Sequence, residues 1–514
     1  MDIKSLKKFI EKHWVVITLS VIVIFGFILR IFHLGDQSYW IDEGFTLNAV
    51  LETLEKGYPI LDSGKPYSRE LLNTYLIAGS VKLFGFNPWA ARIVSVLFGT
   101  GFIALIYFFV KKLFQNKKLA LLSSFLVSVS YWEIAWSRQS RMYVVLQFFF
   151  FLSLYLFWGL LEKFSWRRSF LFIATTMCAI YSHHFGWFLL VIYLLMLFVK
   201  YFNPNQLRKF KFALKNKKFV WAVFLFLVIL VPFLAYKFYS IYLGRFDSVT
   251  VSGDNRLTAG LYVINIMKIY GHIIILALIS LSLEIYQRGK KDLLQIIFLF
   301  AIYVIPFSFI IFSTDLVHLR YMFFIYPVLL VLISMLTLNV IRFLFVFIKG
   351  RSAKKITVLI VLALLLFGLG GQLVVWPQVH YELERRTPHP DFKGAYEAIR
   401  VIGLTEDDKI ISSFPHMDRV YLDQTSFWLA ISLSGKSVDL EKNIISGRNS
   451  YTNTPILKDL NHLDDIKNES GGYIILDSLA MNRLGDVVVD KIKENTKLIW
   501  SSFDGYNSII VLRF

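Results

Sequence analysis

The chain is written as a series of apolar runs about as long as a bilayer is thick, and that spacing admits very few folds. A helix needs roughly 20 apolar residues to cross the hydrocarbon layer. Such runs fall near 14–33, 92–113, 118–134, 139–161, 168–182, 184–200, 219–240, 260–286, 293–312, 321–347 and 355–375. Of the residues, 56% are hydrophobic and 18% charged; soluble domains carry about 45–50% and about 25%. The chain is therefore expected to span the membrane many times. Its +19 net charge would suit a nucleic-acid binder if it were gathered on one face. Instead the Lys and Arg residues sit in short clusters between apolar runs, the pattern of the positive-inside rule, so no nucleic-acid partner is expected.

The clusters set a topology. They are Lys111, Lys112, Lys117 and Lys118; Lys163, Arg167 and Arg168; Lys200 through Lys218; Arg288, Lys290 and Lys291; and Lys349, Arg351, Lys354 and Lys355. With a cytoplasmic N-terminus all of them fall inside, and the C-terminus lies outside. The first run, after Lys4, Lys7, Lys8 and Lys12, is longer than a signal-peptide core and reads as an uncleaved span. Residues 34–91 then form a long external loop with two interfacial helices, one beginning near Asp42 and one near Tyr67. Residues 1–377 are expected to form the transmembrane domain. Residues 378–514 are more polar and alternate strand-like runs (409–414, 473–476, 497–500, 508–512) with helical stretches near 391–402, 455–468 and 481–495. They read as a small extracytoplasmic α/β domain. The expected fold class is an all-α polytopic bundle of about 11–13 transmembrane helices carrying that domain, in the plasma membrane. Cys178 is the single cysteine, which excludes a disulfide framework and a thiolate zinc cluster.

Asp42 and Glu43 stand beside Tyr39 and Trp40 just after the first span. Desolvating such an acid pair is costly, so it is either an unremarkable loop or an active site. On the predicted topology Lys65, Arg92, Glu133, Arg138, Arg141, Tyr143, His183, His184, Arg320 and Tyr321 converge on the same outer face. Several acids among many cations suit transfer from a phosphorylated lipid: the cations hold phosphate and a carboxylate takes a proton from a hydroxyl. Lys65, before Pro66-Tyr67, is expected near the amides that open the second interfacial helix. Adjacent histidines on a helix point about 100° apart and chelate poorly, and no second acidic cluster invites a divalent cation. No cofactor is expected. A polytopic transporter or lipid-sugar flippase is the alternative, but transporters tend to show repeats and broken helices at mid-membrane.

These elements together resemble the GT-C glycosyltransferases, specifically the protein O-mannosyltransferase and lipid A aminoarabinose transferase group. The resemblance rests on Trp40-Ile-Asp42-Glu43, Gly64-Lys65-Pro66-Tyr67, Ala91-Arg92-Ile-Val-Ser95, Ser137-Arg138-Gln-Ser-Arg141-Met-Tyr143, Tyr181-Ser-His183-His184, Arg320-Tyr321 and Asp391-Phe-Lys-Gly-Ala395. It implies Asp42 as catalytic base with Glu43 beside it, and Lys65 on the phosphate of a polyprenyl-phosphate sugar. Arg92, Arg138, Arg320 and Tyr321 are the further phosphate candidates. Tyr39, Trp40, Tyr67, Arg141, Tyr143, His183 and His184 are the substrate candidates. The implied reaction inverts the anomeric centre, with a glycan, lipid or protein hydroxyl as acceptor. One departure is that many relatives carry an aspartate early in the fourth span, where this chain has Arg141-Met142-Tyr143 and Gln147.

Overall fold

The computed structural model describes residues 3–201, 274–280, 293–313, 319–348, 350–369, 373–381, 390–429, 444–457, 459–494, 496–502 and 509–514. The expected span 219–240, and all of 260–286 except a helical stretch at 274–280, lie outside these residues.

The chain packs as two units interleaved in sequence. One comprises Met1–Arg30, Leu97–Ile134 and Tyr143–Pro377. The other comprises Ile31–Val96, Ala135–Met142 and Gln378–Phe514. The compositional boundary at 377/378 is where the chain leaves the first unit for the last time. Residues 31–96 group with the C-terminal residues.

The long apolar runs become helices because their backbone groups have no water to bond and must pair within the segment. They are α1 (Ile3–Ile31), α4 (Pro88–Phe114), α7 (Tyr143–Glu162), α8 (Trp166–Ser182), α9 (Phe188–Tyr201), α10 (Leu293–Ser313), α11 (Pro327–Phe347) and α12 (Arg351–Leu369). Among the described residues five helical segments are long and apolar enough to cross a membrane by length and composition. The expected span 118–134 is not one helix. It divides into α5 (Lys117–Val129) and α6 (Tyr131–Ser137), because Ser130 is extended and bridges to Leu373. At about 1.5 Å per residue α5 is too short to span alone. The expected spans at 184–200 and 321–347 each open with a 3-10 turn, His184–Trp187 and Leu319–Ile325.

Within the first unit, the buried Arg30 and Glu133 side chains have protein partners. Arg30 donates to the carbonyls of Gly26, Ser128 and Val127 at 2.9, 3.0 and 3.2 Å. Glu133 accepts from Gln147 Nε2 at 3.0 Å, and the same amide nitrogen donates to Phe323 O at 3.2 Å.

In the second unit residues 34–91 form α2 (Ile41–Lys56) and α3 (Leu71–Phe84). The helix expected from Tyr67 begins at Leu71, and Glu70 rather than Lys65 stands at its start. The C-terminal residues form a five-stranded mixed sheet in the order β2-β1-β5-β7-β6, with β1 (Lys409–Ser412), β2 (Phe427–Trp428), β5 (Gly472–Asp477), β6 (Lys497–Ser502) and β7 (Ile509–Arg513). A small ladder of β3 (Ile444–Ile445) and β4 (Arg448–Asn449) stands apart from it. The central β5 is buried at every position and runs parallel to β1, as expected of a strand covered on both faces. Helices α13 (Phe392–Ile402), α14 (Pro415–Leu422), α15 (Leu460–Glu469), α16 (Ser478–Leu484) and α17 (Asp486–Glu494) complete the unit. The resemblance element at 391–395 is a cap: Asp391 accepts from Gly394 N at 3.0 Å and from Ser38 Oγ at 2.7 Å.

Candidate active site

Helix α2 organises the site. Its first turn is fixed by Glu43, whose carboxylate reaches back to accept from Trp40 N at 2.9 Å, half of a capping box. The same carboxylate accepts from Arg92 Nε and an Arg92 terminal nitrogen at 3.0 and 2.8 Å, and from Ser140 N and Oγ, both at 2.8 Å. Glu43 has no solvent exposure. Burial pushes its carboxyl up, but the Arg92 charge and these hydrogen bonds outweigh it and hold the pKa below the usual glutamate value.

Arg92 is spent in the same network. Besides Glu43 it donates to the carbonyls of Leu34, Gln37 and Ser38 at 3.1, 2.8 and 2.9 Å. A guanidinium has five N–H donors, and protein acceptors engage all of them. The expectation that Arg92 holds a phosphate is therefore corrected: it ties the segment Leu34–Ser38 to α2. Glu43, expected beside the catalytic base, is likewise committed to protein donors, since its lone pairs are taken.

Arg138 belongs to a parallel clip. It donates to the carbonyls of Phe32, His33 and Val379, the latter two at 3.1 Å, and lies 4.9 Å over the Tyr381 ring. Burial lowers its pKa to about 10. This is a cation turned toward main chain.

A second buried pair supports α2 from below. Arg141 donates to Glu70 at 2.6 Å, to Thr46 Oγ1 and to the Asp42 carbonyl at 2.9 Å. Glu70, fully buried, also accepts from Thr46, Tyr67 and Asn73 at 2.8, 2.6 and 2.8 Å. Burial, with the Glu70 charge beside it, raises the Tyr67 hydroxyl well above its usual range. Tyr39 is buried under Arg92, 5.0 Å from its ring, and Trp40 packs edge-on against Trp136 at 5.7 Å. Tyr39, Trp40, Tyr67 and Arg141 thus build the support for α2.

Asp42 and Lys65 differ from this set. Asp42 is half-buried and Lys65 is exposed. The Lys65 ammonium lies 5.6 Å over the Tyr451 ring, and its loop closes through Leu61 N to Lys65 O at 2.9 Å. Tyr143, His183, His184, Arg320 and Tyr321 belong to the other unit. There the His183 and His184 rings lie 3.9 Å apart, and His183 Nδ1 accepts from Phe185 N at 3.2 Å. Arg320 lies 5.8 Å over Tyr321. Among the described residues no cluster of His, Cys, Asp and Glu could hold a metal ion.

Sequence reasoning missed Glu70, Ser140 and His416. An acid just before an apolar helix was the only local signal for Glu70. The other two act through partners far away in the chain.

Close packing makes Gly44 a test of how α2 is seated. A Cβ there would come 2.5 Å from Met417 Sδ and 2.7 Å from His416 Cδ2. Alanine favours a helix over glycine by about 1 kcal/mol, but such overpacking costs about 1–3 kcal/mol. Gly44→Ala is expected to lower the thermal midpoint of the purified protein, and a rise would mean that α2 is not held this way.

Residues 68–236 match the family model of the dolichyl-phosphate-mannose-protein mannosyltransferases. An uncharacterised protein of Aquifex aeolicus (strain VF5) is 28% identical over 149 residues, and the match spans 28% of this chain and 29% of that protein. Likeness over the whole chain comes from structure. ArnT from Cupriavidus metallidurans in the apo state aligns at a TM-score of 0.59 and 15% identity, covering 98% of both chains. Its complex with undecaprenyl phosphate aligns at 0.59 and 12% identity, covering 97% and 98%. The apo oligosaccharyltransferase of Archaeoglobus fulgidus aligns at 0.53 and 11% identity, covering 91% of this chain and 70% of that one. The chain has the fold of the GT-C membrane glycosyltransferases and resembles their protein mannosyltransferase and ArnT group.

Proposed function

We propose that this protein is a membrane glycosyltransferase that moves a monosaccharide from a polyprenyl phosphate to an acceptor hydroxyl on the extracytoplasmic face. The observation that carries the reading is the division of labour in the first turn of α2. Glu43 is buried and saturated, while its neighbour Asp42 is half-buried and held in place through its own carbonyl. The match to a family described by its lipid-phosphate sugar, and the likeness to ArnT crystallised with undecaprenyl phosphate, support the donor class.

In this mechanism Asp42 takes the proton of the acceptor hydroxyl as its oxygen attacks the anomeric carbon in line, with inversion. The bond to the phosphate oxygen breaks and the lipid monophosphate leaves with the electron pair. Lys65 meets the charge that develops there. The N-terminus is cytoplasmic and the C-terminal residues lie outside.

The test is transfer by the purified full-length protein, supplied in turn with radiolabelled undecaprenyl-phosphate mannose, glucose or arabinose and an extract of envelope lipids and glycans. Label appearing in an acceptor is the expected result. No transfer from any of these donors to the extract would count against the reading. Lys65→Met tests the donor end. A hydrogen bond to a charged group is worth about 1.5–3 kcal/mol, so kcat/KM for the donor is expected to fall by about tenfold to a hundredfold. Lys65→Arg is expected to recover part of it. An unchanged kcat/KM in the methionine variant would remove Lys65 from the phosphate site.

A further inference from the structure

Lys65 sits on a loop that the C-terminal residues of the same unit hold in place. The chain turns back on itself between Pro59 and Tyr67, with Tyr67 N donating to Pro59 O at 3.0 Å and Gly64 N to Leu61 O at 2.8 Å. Gly64, just before the lysine, has a φ of 80°, a left-handed value that suits glycine. Ser63 Oγ donates to Ser450 O at 2.6 Å, and Asp62 pairs with Arg419. The loop is thus anchored on both sides of its turn, while the Lys65 side chain is exposed.

Tyr451 meets that side chain. Its main chain is set by Asn449, whose side-chain oxygen accepts from Tyr451 N at 2.9 Å and from Thr452 N at 3.1 Å. The half-buried ring packs against the cluster of Ala49, Leu61 and Tyr67. It lies 4.8 Å from the Phe45 ring, and the Lys65 ammonium stands 5.6 Å over its face. Phe45 follows Asp42 by three residues on α2, so the two share a helix face. One ring therefore meets both the lysine and the helix that carries Asp42.

A long lysine side chain loses rotamer freedom when a ligand fixes it, and that loss weakens binding. Restricting the side chain beforehand removes part of the cost. The acids nearest Lys65 in sequence, Asp62 and Glu70, pair with Arg419 and Arg141. A carboxylate would hold the ammonium by neutralising the charge that a phosphate needs. A ring face attracts the cation and leaves its charge whole.

We propose that Tyr451 is the positioning residue of Lys65, its ring face holding the ammonium ready for the donor phosphate. The inference rests on Lys65 being the phosphate contact. Tyr451 acts through the lysine and supplies no charge of its own.

The probe is undecaprenyl phosphate, titrated into the purified full-length protein with binding read by microscale thermophoresis. Tyr451→Leu keeps an apolar side chain but removes the ring; Tyr451→Phe keeps the ring face. The leucine variant is expected to bind about twofold to fivefold more weakly, the range for an exposed cation–π contact. The phenylalanine variant is expected to match the parent. Made in a Lys65→Met protein, Tyr451→Leu is expected to cause no further loss. Parent affinity in the leucine variant overturns the proposal, as does an equal loss in the phenylalanine variant. So does the same loss in the Lys65→Met background, which would mark the ring as packing alone. Parent affinity in Lys65→Met itself defeats the lysine's phosphate role and this inference with it. Weakened binding there, with parent affinity in Tyr451→Leu, defeats Tyr451 only.

Discussion

Asp42→Asn is expected to reduce transfer by about 10²–10⁴-fold, the usual contribution of a positioned general base, while leaving the fold intact. The amide has nearly the same shape but cannot take a proton from the acceptor hydroxyl. The contact that seats this residue, Arg141 to the Asp42 carbonyl at 2.9 Å, is made by the main chain and survives the change. Donor binding through Lys65 is likewise untouched, so the loss is expected in kcat with donor KM retained. The measurement is steady-state transfer by purified protein whose thermal midpoint matches the parent. Transfer within a few-fold of the parent would falsify Asp42 as the base.

Arg92→Ala is expected to cost about 3–5 kcal/mol, the price of stranding one member of a buried ion pair. Glu43 would keep its hydrogen bonds from Trp40 and Ser140 but lose both bonds from the guanidinium. The carbonyls of Leu34, Gln37 and Ser38 would lose a donor at the same moment. Against a typical stability of about 5–15 kcal/mol, the expected readout is a large fall in thermal midpoint or failure to accumulate. Glu43→Gln combined with Arg92→Met is expected to be less damaging than the two single effects added together, because no unpaired charge then remains. An Arg92→Ala protein of normal midpoint would show that the pair is not structural. The pH dependence has a definite sign. The folded pKa of Glu43 is lowered, so its contribution is fully present above the usual glutamate value and fades as pH falls through the lowered one.

These two variants are chosen to fail differently. The first removes chemistry and spares the fold; the second removes a support and spares the chemistry's atoms. A chain that lost activity equally through both routes at constant midpoint would not be organised around α2 as described.

What could be read from the chain beforehand was local. Apolar runs of bilayer length demand helices, because backbone polar groups must pair internally in hydrocarbon. The strand-like runs of the C-terminal part alternate with helical ones, and they reappear as β1, β5, β6 and β7. Asp42-Glu43 and Lys65 stood out because charge beside a membrane boundary is costly. Local pattern misled at 118–134, where Ser130 interrupts an apolar run that hydrophobicity alone would continue, and at Tyr67, where the helix waits for Glu70.

The sequence by itself determined that the chain is a membrane bundle with an α/β appendage, and that Asp42, Glu43 and Lys65 follow its first apolar run. It did not determine which of those charges remain for substrate. Glu43 with Arg92, and Glu70 with Arg141, are far apart along the chain, and nothing in their neighbours announces either match. Only the tertiary structure decided that these pairs are buried and mutually satisfied, that Arg138 is turned to main-chain carbonyls, and that His416 lies against α2. The physical reason is that burial and pairing are properties of the folded neighbourhood. Once every donor of Arg92 is engaged by protein, it has none left for a phosphate, whatever its sequence context suggests.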